Sequence, residues 1–158
     1  MKLSDFVCFE AAITELQASD RDGAIMELVS ALGQAGKFDK GKCREIAREV
    51  IKRENEASTG LGKGVAVPHV KHKAVTDVIA TIGQNSAGIN FFALDKQPVY
   101  SVILLISPVD DPDKHLQAME SIFKHLQRER FRKFLRQCRT IDQIEDLFNE
   151  VDENPSLQ

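Results

Sequence analysis

The chain has 158 residues, of which 42% are hydrophobic and 28% are charged, and its formal net charge is −3. This composition is typical of one globular domain with a full apolar core. The negative charge argues against a general nucleic-acid binder, which normally carries a basic excess or a basic face. We therefore expect one folded domain over residues 1–150 and a polar tail over residues 151–158.

The cysteines and the apolar runs indicate the cellular setting. Cys8, Cys43 and Cys138 are far apart and odd in number, and they form no CxxC pattern, which argues against disulfides and a structural zinc site. The N-terminus does not resemble a signal peptide. The longest apolar run, Val99–Ile106, is too short to span a bilayer. The sequence predicts a cytoplasmic protein that is not inserted in a membrane.

Two helices are predicted before the first glycine cluster. Ser19 is a candidate cap for a helix over about residues 20–35, which Gly36 would end. Apolar residues follow this cap at helical spacing, at Ala24, Ile25, Leu28, Val29 and Leu32. A second helix is predicted from Asp39 to about residue 55, with a charged face in contact with solvent.

The middle of the chain predicts strands. Val65–Val67 follows the glycine cluster as a short buried strand, and a second strand is predicted over about residues 75–82. Residues 83–90 indicate a turn region. The nearly continuous apolar run Val99–Ser107 predicts a central strand that is covered on both faces.

Helix signals return in the last third of the chain. Asp111 is a candidate cap with Pro112 at the first helical position. A further helical stretch surrounds Phe131, and Thr140 with Gln143 forms a capping-box pattern for a last helix. This order of elements predicts a single α/β domain in which helices flank one sheet.

His69 is the first candidate for chemistry. It follows a glycine-rich turn, a short strand and Pro68, so a rigid element would present its imidazole at a fixed place. A histidine held in this way suits proton transfer, metal binding or the transfer of a phosphoryl group. A histidine that only caps the strand is the structural alternative.

The other three histidines are weaker candidates. His115 lies in the first turn of a predicted helix, where free N–H groups and the helix dipole favour an anion, although a surface histidine is the plain alternative. A zinc site with His69 and His72 lacks an evident third ligand, and strand positions three apart face opposite sides. His125 is expected at the surface.

Residues upstream of His69 could support a bound phosphate. Arg53 could give bidentate hydrogen bonds, and the Thr59 hydroxyl could bond phosphate or orient the imidazole. Accessible N–H groups near Gly60, Gly62 and Gly64 could cradle an anion. The run is no P-loop, because Lys63 is followed by Gly64 rather than by Ser or Thr.

These residues together resemble one family. The carriers of the resemblance are Arg53-Glu54, Ser58-Thr59-Gly60-x-Gly62-x-Gly64-Val65-Ala66-Val67-Pro68-His69, Asp95-x-Gln97-Pro98-Val99 and His115-Leu116. They are similar to the enzyme IIA domain of the fructose/mannitol type of the bacterial phosphotransferase system. Stand-alone nitrogen-regulatory IIA proteins look closest, because the chain contains no IIB or membrane IIC segment.

The resemblance implies a mixed sheet between helices and a phosphoryl carrier without a cofactor. It implies that His69 accepts phosphate from the histidine phosphocarrier protein, that His115 assists, and that Arg53 and Thr59 support the site. The phosphoryl group would pass to a IIB acceptor or serve as a regulatory signal. A regulatory protein-binding module with no role in sugar transport is the alternative. A metal-dependent hydrolase that uses His69 and His72 is a third reading.

One segment departs from the family pattern. Val70 stands where many members carry glycine, and Lys71-His72-Lys73 is bulkier and more basic than expected. We expect this segment to alter partner docking and to leave His69 in place. Sugar specificity, the downstream target and the oligomeric state have no signal in the sequence.

Overall fold

The computed structural model describes residues 1–154 of the chain. Within these residues the helices and strands follow in the order α1 (Arg21–Gln34), α2 (Cys43–Glu56), β1 (Gly60–Gly62), β2 (Val65–Ala66), β3 (His69–Lys71), β4 (Ile79–Ile89), β5 (Val99–Ser107), α3 (Pro112–Leu126), α4 (Glu129–Gln137) and α5 (Ile141–Glu153). The strands form one sheet of mixed direction with helices on both faces. The predicted single α/β domain is confirmed.

Strand β5 is the central strand, as predicted. It pairs in parallel with β2 and β3 on one side and antiparallel with β4 on the other. Its side chains alternate between two cores: Val102, Leu104 and Ile106 pack with α1 and α2, whereas Ile103 and Leu105 pack with α3, α4 and α5. A strand buried on both faces needs apolar residues at successive positions, which explains the continuous run.

Strands β2 and β3 follow each other along the same edge of β5, as one strand with an interruption. Both pieces keep the same register against β5, with Val67 and Pro68 between them. The Val67 N–H donates to the Thr59 carbonyl, and proline has no N–H to donate. The break therefore leaves the sheet pairing intact and places His69 at the start of the second piece.

Strand β4 is longer and later than predicted. The predicted strand over residues 75–82 is right only in its second half, and the predicted turn over residues 83–90 is wrong. Gly83 lies so close to Leu16 that a Cβ atom there would be 2.8 Å from that side chain. The buried Gln84 amide donates to a carbonyl of α4 at 2.7 Å. Tertiary contacts thus satisfy residues that locally indicate a turn.

The first two helices begin later than predicted. The cap of α1 is Asp20 rather than Ser19, because the Asp20 carboxylate accepts the Gly23 N–H at 2.7 Å. Asp39 caps a 3₁₀ turn over Lys40–Lys42, and α2 starts only after that turn. Both caps are aspartates whose carboxylates take up backbone N–H groups at a helix start.

The starts of the later helices are confirmed. The Asp111 carboxylate caps α3, Pro112 is its first residue, and Thr140 and Gln143 form the predicted capping box at α5. These caps are read from local sequence because each uses only residues within one turn. Across residues 1–154, the helices are all too short or too polar to cross a membrane.

The predicted C-terminal tail starts too early. Val151 is fully buried within α5. The Asp152 carboxylate accepts the backbone N–H groups of Leu3 at 2.7 Å and Ser4 at 2.9 Å, which ties α5 to the N-terminus. The rest of the predicted tail, residues 155–158, lies outside the described residues.

Candidate functional site

The ring of His69 is held in one orientation at the start of β3. Its Nδ1 atom lies 2.8 Å from the Val67 carbonyl oxygen, and a carbonyl only accepts, so Nδ1 carries the proton. Nε2 of the neutral ring then has a free lone pair, and Nη2 of Arg53 lies 3.4 Å from it. Burial lowers the pKa of His69, and the positive charge of Arg53 also lowers it. The hydrogen bond to the Val67 carbonyl raises the pKa and offsets only part of this shift. His69 is therefore a neutral imidazole at pH 7.

His115 lies beside His69 and is more deeply buried. It is 7% exposed, and the centroids of the two rings are 5.7 Å apart. Its Nδ1 atom is 2.6 Å from the Ser107 hydroxyl. Burial, followed by the positive charges that His69, Lys71 and Arg53 can carry, lowers the pKa of His115 to about 4. The structure brings together a pair of neutral imidazoles next to one cation.

Ser107 is a site residue that the sequence analysis missed. It is the last residue of β5, where it pairs with the end of β3, and its carbonyl also accepts the His72 N–H. A hydroxyl can donate or accept, so the bond to Ser107 orients the His115 ring and fits either of its neutral tautomers. The available signal was a single hydroxyl at the end of the central strand, eight residues before His115.

Thr59 is joined to α2 rather than to His69. Its hydroxyl and its N–H both bond to the carboxylate of Glu54, which is 2% exposed, and the N–H distance is 3.1 Å. The Thr59 carbonyl accepts the Val67 N–H. Thr59 therefore connects the end of α2 with the segment that leads to His69. The direct contact with phosphate predicted for it stays a prediction.

Each of the three glycines that were expected to cradle phosphate has a close neighbour on the side where a Cβ atom would be. Gly62 and Gly64 have positive φ values of 82° and 84°, which a glycine adopts without strain. The neighbours that a Cβ atom would meet are Ala93 at Gly60, Asp95 at Gly62 and Tyr100 at Gly64. These residues explain why the turn needs glycine. A phosphate-cradling role for the three glycines stays a prediction.

His72 belongs to a separate cluster. Its Nε2 atom lies 2.8 Å from a carboxylate oxygen of both Glu45 and Glu49, and its Nδ1 accepts the Ala74 N–H at 2.9 Å. Among the described residues these three could hold a metal ion. However, an Nδ1 that accepts a hydrogen bond puts the proton of the neutral ring on Nε2, and a metal would have to displace it. His69 is not part of this cluster, so the two histidines do not form the joint metal site considered above.

An apolar groove of about 620 Å³ adjoins the two histidine rings. Leu116, Met119 and Phe123 of α3 contribute to its wall, and Leu116 is 59% exposed. A large exposed apolar side chain beside a nucleophile is typical of a surface on which another protein docks.

The prediction that His125 lies at the surface is wrong. It is 4% exposed, and its ring centroid is 5.6 Å from that of Phe131. Burial lowers the pKa of His125, so the ring is neutral. It lies on the inner side of α3 because α4 covers that side, which the sequence of α3 alone does not reveal.

The comparisons with known proteins agree with this arrangement. The family model described as "Phosphoenolpyruvate-dependent sugar phosphotransferase system, EIIA 2" matches residues 8–151. The chain belongs to this family. Its members are phosphotransferases that work through a phosphohistidine, and so is this protein.

Relatives of two kinds match almost the whole chain. The "PTS system fructose-specific EIIABC component" of Bacillus subtilis is 28% identical over 152 residues, which are 96% of this chain and 24% of that protein. The fructose-specific EIIA component of Haloferax volcanii is 28% identical, with 94% of this chain and 96% of that protein covered. A "Nitrogen regulatory protein" of Bradyrhizobium diazoefficiens is also 28% identical, with 91% and 92% covered. The chain thus spans about a quarter of the first relative and nearly all of the other two.

Solved structures share the fold. The nitrogen regulatory protein IIA-Ntr of Neisseria meningitidis has a TM-score of 0.83 at 18% identity, with 92% of this chain and 98% of that chain covered. IIA mannitol of Escherichia coli has a TM-score of 0.73 at 22% identity, with 88% and 96% covered. Mannitol IIA has also been solved in complex with phosphorylated IIB, and that IIA chain has a TM-score of 0.74 at 21% identity, with 89% and 95% covered.

Proposed function

We propose that His69 is the residue that carries the phosphoryl group and that Nε2 is the atom that is phosphorylated. The observation that supports this most is the hydrogen bond from Nδ1–H to the Val67 carbonyl, at 2.8 Å. It leaves the lone pair of Nε2 open to the side where Arg53 lies. The lowered pKa keeps that lone pair unprotonated at neutral pH.

The transfer step then needs no general base. Nε2 attacks the phosphorus of a phosphohistidine on the histidine phosphocarrier protein, the bond from phosphorus to the donor nitrogen breaks, and the new P–Nε2 bond forms. The His69 ring keeps its proton on Nδ1, and the positive charge that develops on the ring faces the Val67 carbonyl oxygen. The protein contributes position and charge stabilisation to this step.

Arg53 and His115 bind the transferred group in this proposal. The guanidinium of Arg53 donates to phosphoryl oxygens and offsets their charge. The Ser107 hydroxyl lies 2.6 Å from Nδ1 of His115, and we propose that it donates to Nδ1, so that Nε2–H of His115 can donate to a phosphoryl oxygen. With a pKa of about 4, His115 keeps this role without becoming charged.

The acceptor is a IIB domain or a regulatory target. Mannitol IIA forms a complex with phosphorylated IIB, and relatives named as fructose components and as nitrogen regulatory proteins are equally similar to this chain, at 28%. A phosphoryl group on His69 would also place negative charge beside the apolar groove, which alters the docking of a partner. A cytoplasmic location is part of this proposal.

Intact-mass spectrometry tests the carrier role. Wild type, His69→Gln and His72→Gln are each incubated with phosphoenolpyruvate, enzyme I and the histidine phosphocarrier protein. We expect one acid-labile phosphoryl adduct on wild type and on His72→Gln, and none on His69→Gln. An adduct on His69→Gln, or an unlabelled wild type when a control IIA protein is labelled in the same mixture, would contradict the proposal.

A second experiment separates the two acceptors. Phosphorylated protein is mixed with IIB domains of the fructose and mannitol types, and the loss of the adduct is followed by mass. Transfer to either domain supports a transport role. If the adduct survives with every IIB domain while it changes the binding of a regulatory partner, the chain is a signalling member of the family.

A further inference from the structure

A basic cleft lies away from the histidine groove. It is an open cavity of about 680 Å³ between α4 and the turn that joins β1 to β2. Its cations are Lys63, Arg132, Lys133, Arg136 and Arg139. The groove beside His69 and this cleft have no lining residue in common. The cleft is therefore locally basic although the chain as a whole has a net charge of −3.

Carboxylates do not neutralise this charge. Among the residues that the structure describes, the ion pairs involve other side chains, and the five cations of the cleft have no carboxylate within ion-pair distance. Glu129 is the acidic residue in the lining. Glu15 lines a smaller adjoining cavity, and its carboxylate accepts the Ser86 N–H at 3.1 Å. The cleft thus has a surplus of positive charge.

Neutral groups hold the arginines in place. The guanidinium of Arg136 lies over the ring of Tyr100, with the central carbon 3.6 Å from the ring centroid. Nη1 of Arg139 donates to the Arg136 carbonyl at 2.8 Å, and Nη1 of Arg132 donates to the Leu126 carbonyl at 2.7 Å. These contacts fix the positions of the charges without neutralising them, which reduces the entropy that a ligand would have to overcome.

We propose that this cleft binds a small molecule that carries two or more phosphate groups. The volume of about 680 Å³ lies in the range of small-molecule sites. Several arginines close together suit phosphate oxygens, because each guanidinium offers paired donors in one plane. Five cations line one cavity, which favours a compact anion over an extended nucleic-acid strand. Binding here is separate from the transfer of phosphate on His69.

The chain contains its own reporter for this cleft. Tyr100 is the one tyrosine of the sequence, and tryptophan is absent, so tyrosine emission comes from the residue under Arg136. Wild-type protein is titrated with pyrophosphate, tripolyphosphate and orthophosphate at constant ionic strength. We expect a saturable change in emission, with the two polyphosphates binding about tenfold more tightly than orthophosphate, because they engage more than one arginine.

Variants on one helix show whether the cleft is the site. Arg132→Gln with Lys133→Gln removes two cations and leaves Arg136 over the reporter. We expect this pair to weaken pyrophosphate binding about tenfold or more. Arg130→Gln is the matched control, since Arg130 is on α4 but lies over Phe134 at 5.5 Å and does not line the cleft. Phosphorylation of His69 is measured in each variant and should not change.

Three results would overturn the proposal. The first is the absence of a saturable change with either polyphosphate up to about 10 mM. The second is equal weakening in Arg130→Gln, which would mean general charge screening. The third is tighter binding of a short oligonucleotide or an acidic peptide than of any polyphosphate. A final titration with ADP, followed by amide shifts around Lys63 and α4, distinguishes a nucleotide from free polyphosphate as the source of the phosphates.

Discussion

His69 and His72 are three residues apart and have opposite surroundings. His69 is half-buried, with its free nitrogen toward Arg53 and a second neutral imidazole nearby. His72 is buried, and its outward nitrogen faces the carboxylates of Glu45 and Glu49. The Nε2 atom of His69 therefore keeps a lone pair, whereas the Nε2 atom of His72 offers a proton to two carboxylates.

The difference comes from the backbone group that bonds to Nδ1, which is an acceptor at His69 and a donor at His72. At His69 the Val67 carbonyl accepts a hydrogen bond from Nδ1–H, which leaves the lone pair of the ring on Nε2. At His72 an N–H bonds to Nδ1, which makes Nε2 a donor. This one contact separates the proposed carrier of the phosphoryl group, His69, from His72, which is a structural bridge between α2 and the end of β3.

The largest effect should come from exchanging each histidine for glutamine. His69→Gln should abolish phosphorylation, because the amide has no nucleophilic lone pair in place of Nε2. His72→Gln should keep the rate within about twofold, because glutamine can still donate to the carboxylates and accept the Ala74 N–H. The initial rate of adduct formation by mass measures both. A larger loss in His72→Gln would assign His72 a role in the transfer itself.

The next effect concerns stability at acidic pH. The folded state holds His115 neutral to about pH 4, whereas the unfolded chain protonates it near pH 6.5. The unfolded state therefore binds more protons between these values, and stability falls as the pH falls through them, by about 2–3 kcal/mol for this group. Urea unfolding at pH 7 and pH 4.5 should show a smaller loss for His115→Gln than for wild type. Identical losses would contradict the lowered pKa.

A smaller effect is expected for Arg53→Gln. The side chain is exposed, so the free energy of unfolding should stay within about 0.5 kcal/mol. The rate of phosphorylation should fall about tenfold, because one charged donor beside Nε2 is lost. Arg48→Gln, five residues earlier on α2, is the control. Equal rates for the two variants would remove Arg53 from the site.

The smallest effect tests the carboxylates around His72. Glu45→Ala and Glu49→Ala should each change stability by less than about 0.5 kcal/mol, because the remaining carboxylate still accepts the Nε2 proton. The double variant should lose about 1 kcal/mol, more than the sum of the two. Chemical denaturation measures all three. Strict additivity would show that the two carboxylates act independently.

The parts of the fold and site that depend on neighbouring residues could be predicted from the sequence. The caps at Asp111 and Thr140 were predicted because each acts within one helical turn. Strand β5 was predicted because burial on both faces requires a continuous apolar run. His69 and His115 were singled out by the residues beside them, Pro68 and the helix start, and the structure places their rings next to each other.

The sequence predictions that differ from the structure concern polar or glycine-containing positions that contact residues of other elements. Residues 83–90 indicate a turn by themselves, but contacts with Leu16 and with the Leu135 carbonyl of α4 bury the first residues of this segment, which continues strand β4 to Ile89. His125 looks exposed until α4 covers it. The Thr59 hydroxyl looks free until Glu54 takes it. In each case the partner lies on a different element of the fold: Leu16 and α4 for residues 83–84, α4 for His125, and α2 for Thr59.

By itself, the sequence determined the family, the order of most elements and the histidine that carries the proposed chemistry, because these follow from short runs of neighbouring residues. Only the tertiary structure determined the proton positions on His69 and His72 and the position of the basic cleft. Proton positions depend on which carbonyl or N–H the fold brings within about 3 Å of a ring nitrogen. The cleft exists because packing brings Lys63 next to the basic face of α4, across more than sixty residues of chain.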